Sequence, residues 1–473
     1  MRRSARVAAA ADRATALAPL PLPLVHRIFL LLTVDERARA ACVSRGWRTA
    51  LADAALWTEL DLTALFKHNA EVFKREPAAR AGALLHGAAR RAHGQLRSLI
   101  TAWPLSATTP ALLEVLAANA GSLRELKMPS IISFTWPCED RLLSIVEPLF
   151  AAAPRLEFVD TNVTATWQDA LRLLRGEGPL SRVRLREVSA SFTKHNVDGD
   201  MAEPFGGLER VELFAAALAD ATLQPTLSAV CIALADLQQP GVIDALADAV
   251  LARGGGKAGR MRSLEFQACT PPAPASLARL LSGGVLTCLT FRGEAPGVST
   301  PLFDPAGATL VADALRTNTT LTSLLVNDAG LFCDMVAAQT LLAALVGHRS
   351  ICSLELIFDD STAEPVALGA ALAAIVAADA PALKTLDVCG CGLGDDGLEP
   401  LLDALPANGH LRTLWLAANS MSATFVREHL LPAVRSNTAL QQLECGISYA
   451  EPADIAQAVR EVQELLKHRT QRS

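Results

Sequence analysis

The chain has 473 residues, is about half apolar and carries a net charge of −6 at pH 7. That charge is uneven: residues 1–95 hold 15 Lys and Arg against 8 Asp and Glu (+7), whereas residues 96–473 hold 28 against 41 (−13). The long acidic part argues against nucleic-acid binding, which needs cations to neutralise phosphates. The length favours several domains or a stacked repeat array over one compact core.

The ten cysteines lie scattered inside apolar runs, which is typical of reduced thiols packed as small hydrophobes in an intracellular protein. Cys389 and Cys391 are too close for an easy disulfide and lack a second ligand pair for zinc, so we expect no metal and no cofactor. We expect no membrane span, because His and Arg interrupt the apolar stretch 17–34. Residues 1–17 are predicted to be a loose tail, with a faint similarity to a transit peptide as the alternative.

Short helices are predicted next. Two prolines fit a first helical turn, and one helix face then carries apolar residues at three- and four-residue spacing: Leu24, Ile28, Leu31 and Leu32. Thr33 and Glu36 form a capping box that begins a second helix. A third helix carries Trp47, and Asp53 is predicted to cap a last short turn ending at Trp57.

The F-box pattern is resembled, in order and spacing, over residues 18–62 by Leu20-Pro21, Ile28, Leu32, Val43, Trp47 and Trp57. One departure is that Leu22-Pro23-Leu24 stands where the family usually has an acidic residue. The resemblance implies a helical trio that docks on a small Skp-type adaptor, which links it to a cullin scaffold. The implied contact residues are Leu20, Pro21, Leu24, Ile28, Leu32, Val43, Trp47 and Trp57, with Trp47 also holding the trio together. The alternative is a generic three-helix bundle whose apolar faces meet only each other.

A repeated unit follows, in which Leu-x-x-Leu-x-Leu precedes a turn and an Ala/Leu-rich helix. Its clearest copies begin at Leu383 and Leu411. Further copies begin at Leu96, Leu123, Leu156, Leu180, Leu208, Leu227, Met261, Leu286, Leu321, Ile351 and Leu440. The period of about 29 residues is at the long end of the leucine-rich-repeat range. Positions one, four and six should point into the core of a solenoid. Position nine, occupied by Cys269, Cys391 and Asn419, should bond the bare backbone of the turn.

The predicted fold class is therefore α/β: a short all-helical F-box, then a leucine-rich-repeat horseshoe with parallel strands inside and helices outside. Residues 63–95 are predicted to be a helical linker, 96–450 the repeats, and 451–473 a capping helix and tail. The later repeats resemble the long ribonuclease-inhibitor type. The register between residues 180 and 260 stays open, because the spacing there is irregular.

Strand side chains alternate, so positions three, five and seven should face the concave side. They are basic in one part and acidic in another. The candidate target-binding residues are Arg182, Arg184, Arg186, Arg210, Glu265, Glu355, Asp387, Trp415 and Glu444. We hypothesise that the basic part binds an anionic segment and that the acidic part binds a basic or apolar segment anchored by Trp415. The alternative is a solvated face without one ligand.

No catalytic spacing is recognisable, so an enzyme is not expected. The resemblance implies a substrate-recognition adaptor of an SCF-type ubiquitin ligase, cytoplasmic or nuclear, with an unidentified protein target. The alternative class is a ribonuclease-inhibitor-like scaffold that regulates a GTPase or an enzyme. A third possibility is an F-box protein that works outside the ligase.

Overall fold

The protein is described by a computed structural model over residues 21–63, 77–101, 109–128, 131–132, 141–192, 194–195, 201–203, 208–254, 261–293, 301–357, 364–445 and 453–470. Two compact units divide it, Met1–Val188 and Ser189–Ser473. Predictions that fall on Leu20 and on the tail 1–17 lie outside the described residues.

The first unit opens with three short helices and a 3-10 turn at Ala54–Trp57. Its helices are α1 (Leu22–Leu30), α2 (Val34–Ala40), α3 (Arg45–Ala50), α4 (Pro77–Arg91), α5 (Pro110–Ala118), α6 (Arg141–Ala152) and α7 (Trp167–Arg175). Its strands are β1 (Glu59–Asp61), β2 (Ser98–Ile100), β3 (Glu125–Lys127), β4 (Ile131–Ile132), β5 (Phe158–Thr166) and β6 (Val183–Ser191), the last residues of which belong to the second unit. The strand order is β1-β2-β3-β5-β6, with β4 paired to β5, and the registered pairs are parallel.

The second unit repeats one strand-then-helix plan. Its remaining strands are β7 (Lys194–His195), β8 (Met201–Glu203), β9 (Ala229–Ala233), β10 (Ser263–Gln267), β11 (Cys288–Arg292), β12 (Ser323–Asn327), β13 (Ser353–Leu356), β14 (Thr385–Asp387), β15 (Thr413–Trp415) and β16 (Gln442–Glu444). Strands β9 to β16 pair in sequence order, all parallel, while β7 and β8 form a separate antiparallel pair.

The helices of this unit pack against their sequence neighbours on one side of the strands. They are α8 (Leu208–Ala219), α9 (Val242–Gly254), α10 (Pro274–Ser282), α11 (Pro305–Thr317), α12 (Met335–Leu345), α13 (Pro365–Ala377), α14 (Gly394–Ala404), α15 (Ala423–Phe425), α16 (Leu431–Ser436) and α17 (Ala453–Thr470). A π-helical turn, Val426–Leu430, joins α15 to α16. Short 3-10 helices lie at Ala329–Phe332 and Leu405–Ala407 in this unit and at Gly178–Arg182 in the first unit. The parallel sheet with helices on one side is the predicted leucine-rich-repeat solenoid.

Twelve of the thirteen predicted repeat starts lie just before a strand of the parallel sheet. The predicted register at Leu227 is correct, because Leu227, Val230 and Ile232 are the buried positions one, four and six of β9. The prediction at Leu208 is wrong: that residue begins α8. Val211, Phe214 and the other buried residues of this segment recur at the helical period, and Leu213, which a strand would bury, is exposed.

The repeats also begin earlier than predicted. Strand β1 pairs in parallel with β2, and Trp57, Leu60 and Leu62 fill its three core positions. The first strand therefore lies inside the segment 18–62 that was assigned to the F-box alone. Helix α4, predicted as a linker, packs beside α5 and is the helix of this first repeat.

Position nine has the predicted role. The thiol of Cys391 donates to the Leu356 carbonyl at 3.1 Å, and that of Cys269 donates to the Ile232 carbonyl at 3.3 Å. Asn419 Nδ2 donates to the Val388 carbonyl at 2.7 Å, and its Oδ1 accepts from the Leu393 amide at 3.2 Å. The two thiols bond strand carbonyls of the preceding repeat, and Asn419 bonds groups at the turn that follows β14, so each satisfies backbone groups that would otherwise be buried without partners.

Candidate docking face and open strand face

Helix α1 has one buried side and one exposed apolar side. Val25 and Phe29 are buried against the neighbouring helices. Other large apolar side chains of this segment are in solvent: Leu22 at the start of the helix, Leu24, Ile28, Leu30 and, just past the helix, Leu31, which is 85% exposed. Leu24, Ile28 and Leu31 follow four- and three-residue spacing, so they lie on one face. We call Leu22, Leu24, Ile28, Leu30 and Leu31 the docking face; an open depression beside it is lined by Leu24, Arg27, Ile28, Leu30 and Leu31.

The other predicted contact residues differ in exposure. Pro21 and Val43 are exposed, Leu32 is half-buried, and Leu20 is outside the described residues. Trp47 is half-buried, and its ring packs edge-on against Phe29 at 5.6 Å between centroids. This contact joins α3 to α1. Leu22, Leu30 and Leu31 were not among the predicted contacts, although Leu31 follows Ile28 by three residues on the same helical face.

Trp57 corrects the predicted contact set. Its side chain has 0% exposure, its Nε1 donates to the Leu51 carbonyl at 2.7 Å, and the Arg91 guanidinium lies 5.1 Å from its ring. Because Trp57 fills position one of the first repeat, no part of it is available to a partner in this structure. Its role is to attach the helical trio to the strand that follows.

In the second unit, positions three, five and seven of the strands face away from the helices, and we call this the open strand face. The strand register aligns position five across seven neighbouring strands. These aligned residues are Glu265, Thr290, Leu325, Glu355, Asp387, Trp415 and Glu444. Four predicted acids and Trp415 therefore do share one row.

The acids of this row differ in their surroundings. Glu265 is paired with Arg292 at 2.8 Å, and Glu355 accepts from the Ser353 hydroxyl at 3.1 Å. Asp387 is buried and accepts from the Cys389 amide at 2.9 Å. Glu444 is exposed next to Trp415, itself 39% exposed. The negative charge is thus neutralised at one end of the row and open at the other.

The predicted basic residues have separate positions. Arg184 lies with its guanidinium 3.5 Å from the Phe158 ring, and Arg186 is 3.5 Å from Asp160. Arg182 precedes β6, stacks 4.0 Å from the Phe150 ring and donates to the Pro154 carbonyl at 3.2 Å. Arg210 was predicted on a strand but lies on α8, where it donates to the Phe192 carbonyl at 3.5 Å. It therefore does not extend the arginine row of β6.

No group of His, Cys, Asp and Glu side chains within the described ranges could hold a metal ion. Among the helices that the structure describes, none is both long and apolar enough to cross a membrane.

Burial raises the pKa of the Cys391 thiol well above its usual value. It also raises the pKa of the Cys389 thiol to about 12, with the added effect of Asp387. A raised pKa keeps these thiols protonated, which opposes a nucleophilic role.

Comparison with known proteins places an F-box-like family model on residues 17–63. No curated protein matches the sequence. Among solved structures, the chain is similar to the leucine-rich repeat-containing protein LegL7 from Legionella pneumophila. That match has 14% identity and a TM-score of 0.39, and it covers 77% of this chain and 98% of the other.

The F-box-like match coincides with the three helices that carry the docking face. Repeated parallel strands with helices on one side then follow. An F-box-like segment joined to leucine-rich repeats is the arrangement of F-box/leucine-rich-repeat proteins.

Proposed function

We propose that this protein is the substrate-recognition adaptor of an SCF-type ubiquitin ligase. The observation that carries the proposal is the docking face: Leu24, Ile28 and Leu31 lie together in solvent on the F-box-like helix α1. A contiguous apolar patch on a small helical module is the kind of surface that a protein partner covers. A Skp-type adaptor is the partner that F-box domains generally bind, and a cullin complex would follow from it.

The proposed mechanism is proximity. The docking face holds the protein to the ligase, and the open strand face holds the target, so that a target lysine lies near a charged ubiquitin-conjugating enzyme. Effective concentration supplies the rate, and no chemical step is assigned to this chain. The proposed target contacts on the open strand face are Glu265, Glu355, Trp415 and Glu444; Asp387 lies in the same row but is buried. Arg184 and Arg186, on β6 of the first unit, are proposed as separate target contacts.

Co-purification of the full chain with a Skp-type adaptor tests the proposal. Ile28→Asp and Leu31→Asp each place a charge on the docking face and should reduce capture at least about tenfold, because a buried unpaired charge costs several kcal/mol. Leu310→Asp is the matched control, since Leu310 is also a half-exposed leucine on a helix but lies on α11. It should capture the adaptor like the unchanged protein.

The same assay separates the alternatives. Failure of the unchanged protein to capture the adaptor would favour the ribonuclease-inhibitor-like scaffold. Adaptor capture without assembly on a cullin would favour an F-box protein that works outside the ligase. Capture that survives both substitutions on α1 would show that the docking face is not the contact.

A further inference from the structure

The last four strands of the parallel sheet have an open strand face with one sign of charge. The residues of β13 to β16 that face away from the helices are Ser353, Glu355, Thr385, Asp387, Thr413, Trp415, Gln442 and Glu444. Three are acids, four are neutral polar residues, one is Trp, and none is Lys or Arg. A shallow depression at the end of this face is lined by Trp415, Gln442, Glu444 and, from α17, Gln463, Leu466 and Lys467.

The nearby cations that the structure describes form no ion pair with these acids. Lys467 is paired with Glu464 at 3.1 Å, and Arg412 donates to the Ala439 carbonyl at 2.7 Å. Lys384 lies three residues before Asp387, about 10 Å away along the strand. Glu265, farther along the row, already has Arg292 as its partner. The uncompensated negative charge therefore lies around Trp415.

The thiol of Cys389 is affected by the same negative charges. Burial is the main cause that raises its pKa to about 12, and the hydrogen bond and charge of Asp387 and the charge of Glu444 act in the same direction. An exposed Trp ring bordered by acids is the preferred surface for a cation, because the indole face and the carboxylates attract it together.

We propose that this face binds an extended cationic segment of the target, with one Lys or Arg side chain lying on the Trp415 ring beside Glu444. Glu355 and Glu444 are three strands apart, or about 14 Å. Cations four residues apart in an extended peptide have about the same separation, so a second cation would reach Glu355. The proposal deepens the function proposed above and rests on it for the identity of the segment as part of a ubiquitination target.

The test measures fluorescence anisotropy of labelled eight-residue peptides added to the full chain. One peptide alternates serine and arginine, a second serine and glutamate, and a third serine and phosphoserine. Only the arginine peptide should bind, and its affinity should fall as the salt concentration rises.

Variants assign the binding to this face. Trp415→Ala should weaken arginine-peptide binding about fivefold or more, and Trp415→Phe less. Glu444→Gln should weaken it about threefold. Asp403→Asn is the matched control, because it removes the same charge from an exposed position on the helix α14, and it should leave the affinity unchanged.

The proposal is overturned by equal binding of the glutamate or phosphoserine peptide, or by a Trp415→Ala variant that binds like the Asp403→Asn control. Adaptor capture is measured on the same preparations and should not change in any of these variants. Loss of adaptor binding with intact arginine-peptide binding would reject only the ligase function, so the two failures are distinguishable.

Discussion

Arg37 on α2 donates from its Nε to the Phe29 carbonyl at the end of α1, at 3.0 Å. The same guanidinium also bonds the carbonyls of Leu30, Leu32 and Leu56. Arg37 is only 8% exposed, so a buried charge is held by backbone carbonyls from two segments of the chain. One side chain thus fixes α1, which carries the docking face, against the 3-10 turn that leads into the first repeat.

Replacing Arg37 by Met should destabilise this helical trio by about 3 kcal/mol, because the apolar side chain leaves several buried carbonyls without donors. Hydrogen exchange of the α1 amides should rise, and adaptor capture should fall with it. Arg45→Met, an exposed change on α3 of the same trio, is the control. Unchanged exchange in α1 would mean that Arg37 does not hold the trio together.

A second row of buried side chains links successive repeats where helices end. Asn437 Nδ2 donates to the Leu405 and Asn408 carbonyls at 2.7 Å, and its Oδ1 accepts from the Leu440 amide at 2.7 Å. Asn408 bonds the previous repeat in the same way through the Val376 carbonyl. His348 occupies the equivalent place, with Nε2 2.9 Å from the Leu315 carbonyl and Nδ1 accepting from the Ile351 amide at 3.3 Å.

Asn437→Ala should therefore cost about 1–3 kcal/mol in the free energy of unfolding, because both its donors and its acceptor lose buried partners. His348→Asn introduces the residue that three other repeats have at this place, Asn318, Asn408 and Asn437, and should change stability by less than about 1 kcal/mol. Denaturant unfolding measures both, with the exposed Thr319→Ala as the control. A loss for His348→Asn as large as that for Asn437→Ala would show that the ring is not interchangeable with the amide.

The strand positions could be predicted from the sequence because each repeat must bury three apolar residues, at positions one, four and six. The start of the first repeat was not predicted, because Trp57 satisfies two patterns at once: it closes the helical segment and fills position one of the repeat that contains β1. The repeat start at Leu208 was predicted wrongly for a related reason. Its sequence, Leu-x-x-Val-x-Leu, fits the repeat motif of a strand, but its buried residues recur at the helical period.

The site was predictable only in part. The repeat motif places Glu355, Asp387, Trp415 and Glu444 at position five of their repeats. Their side chains therefore point the same way, and their common row could be predicted. Which charges are neutralised depends on side-chain reach across strands, as with Arg292 and Glu265. The spacing of the repeats in the sequence does not predict which charges form these ion pairs.

Helices α13 and α14 approach closely because each has a glycine at the crossing. A Cβ built on Gly369 would lie 1.8 Å from the Gly397 carbonyl oxygen, which is backbone and has no rotamer with which to move away. Gly369→Ala should therefore cost more than about 2 kcal/mol. Gly87→Ala on α4 meets nothing within 4 Å and should instead stabilise the protein by about 0.5–1 kcal/mol. Thermal unfolding of the two variants checks the opposite signs; equal shifts would contradict the close helix approach.

The cysteines should differ in reactivity according to their surroundings. With a pKa of about 12, Cys389 has about one thiolate in ten thousand at pH 8, whereas an unperturbed thiol of pKa about 8.5 has roughly a quarter. Cys391 is buried, and its pKa is raised as well. Iodoacetamide at pH 8 should therefore modify the exposed Cys42 and Cys352 first and leave Cys389 and Cys391 until the protein unfolds. Peptide mass spectrometry over a time course measures the order. Modification of Cys389 in the folded protein as fast as that of Cys352 would contradict the raised pKa, which is caused first by burial and then by Asp387 and Glu444.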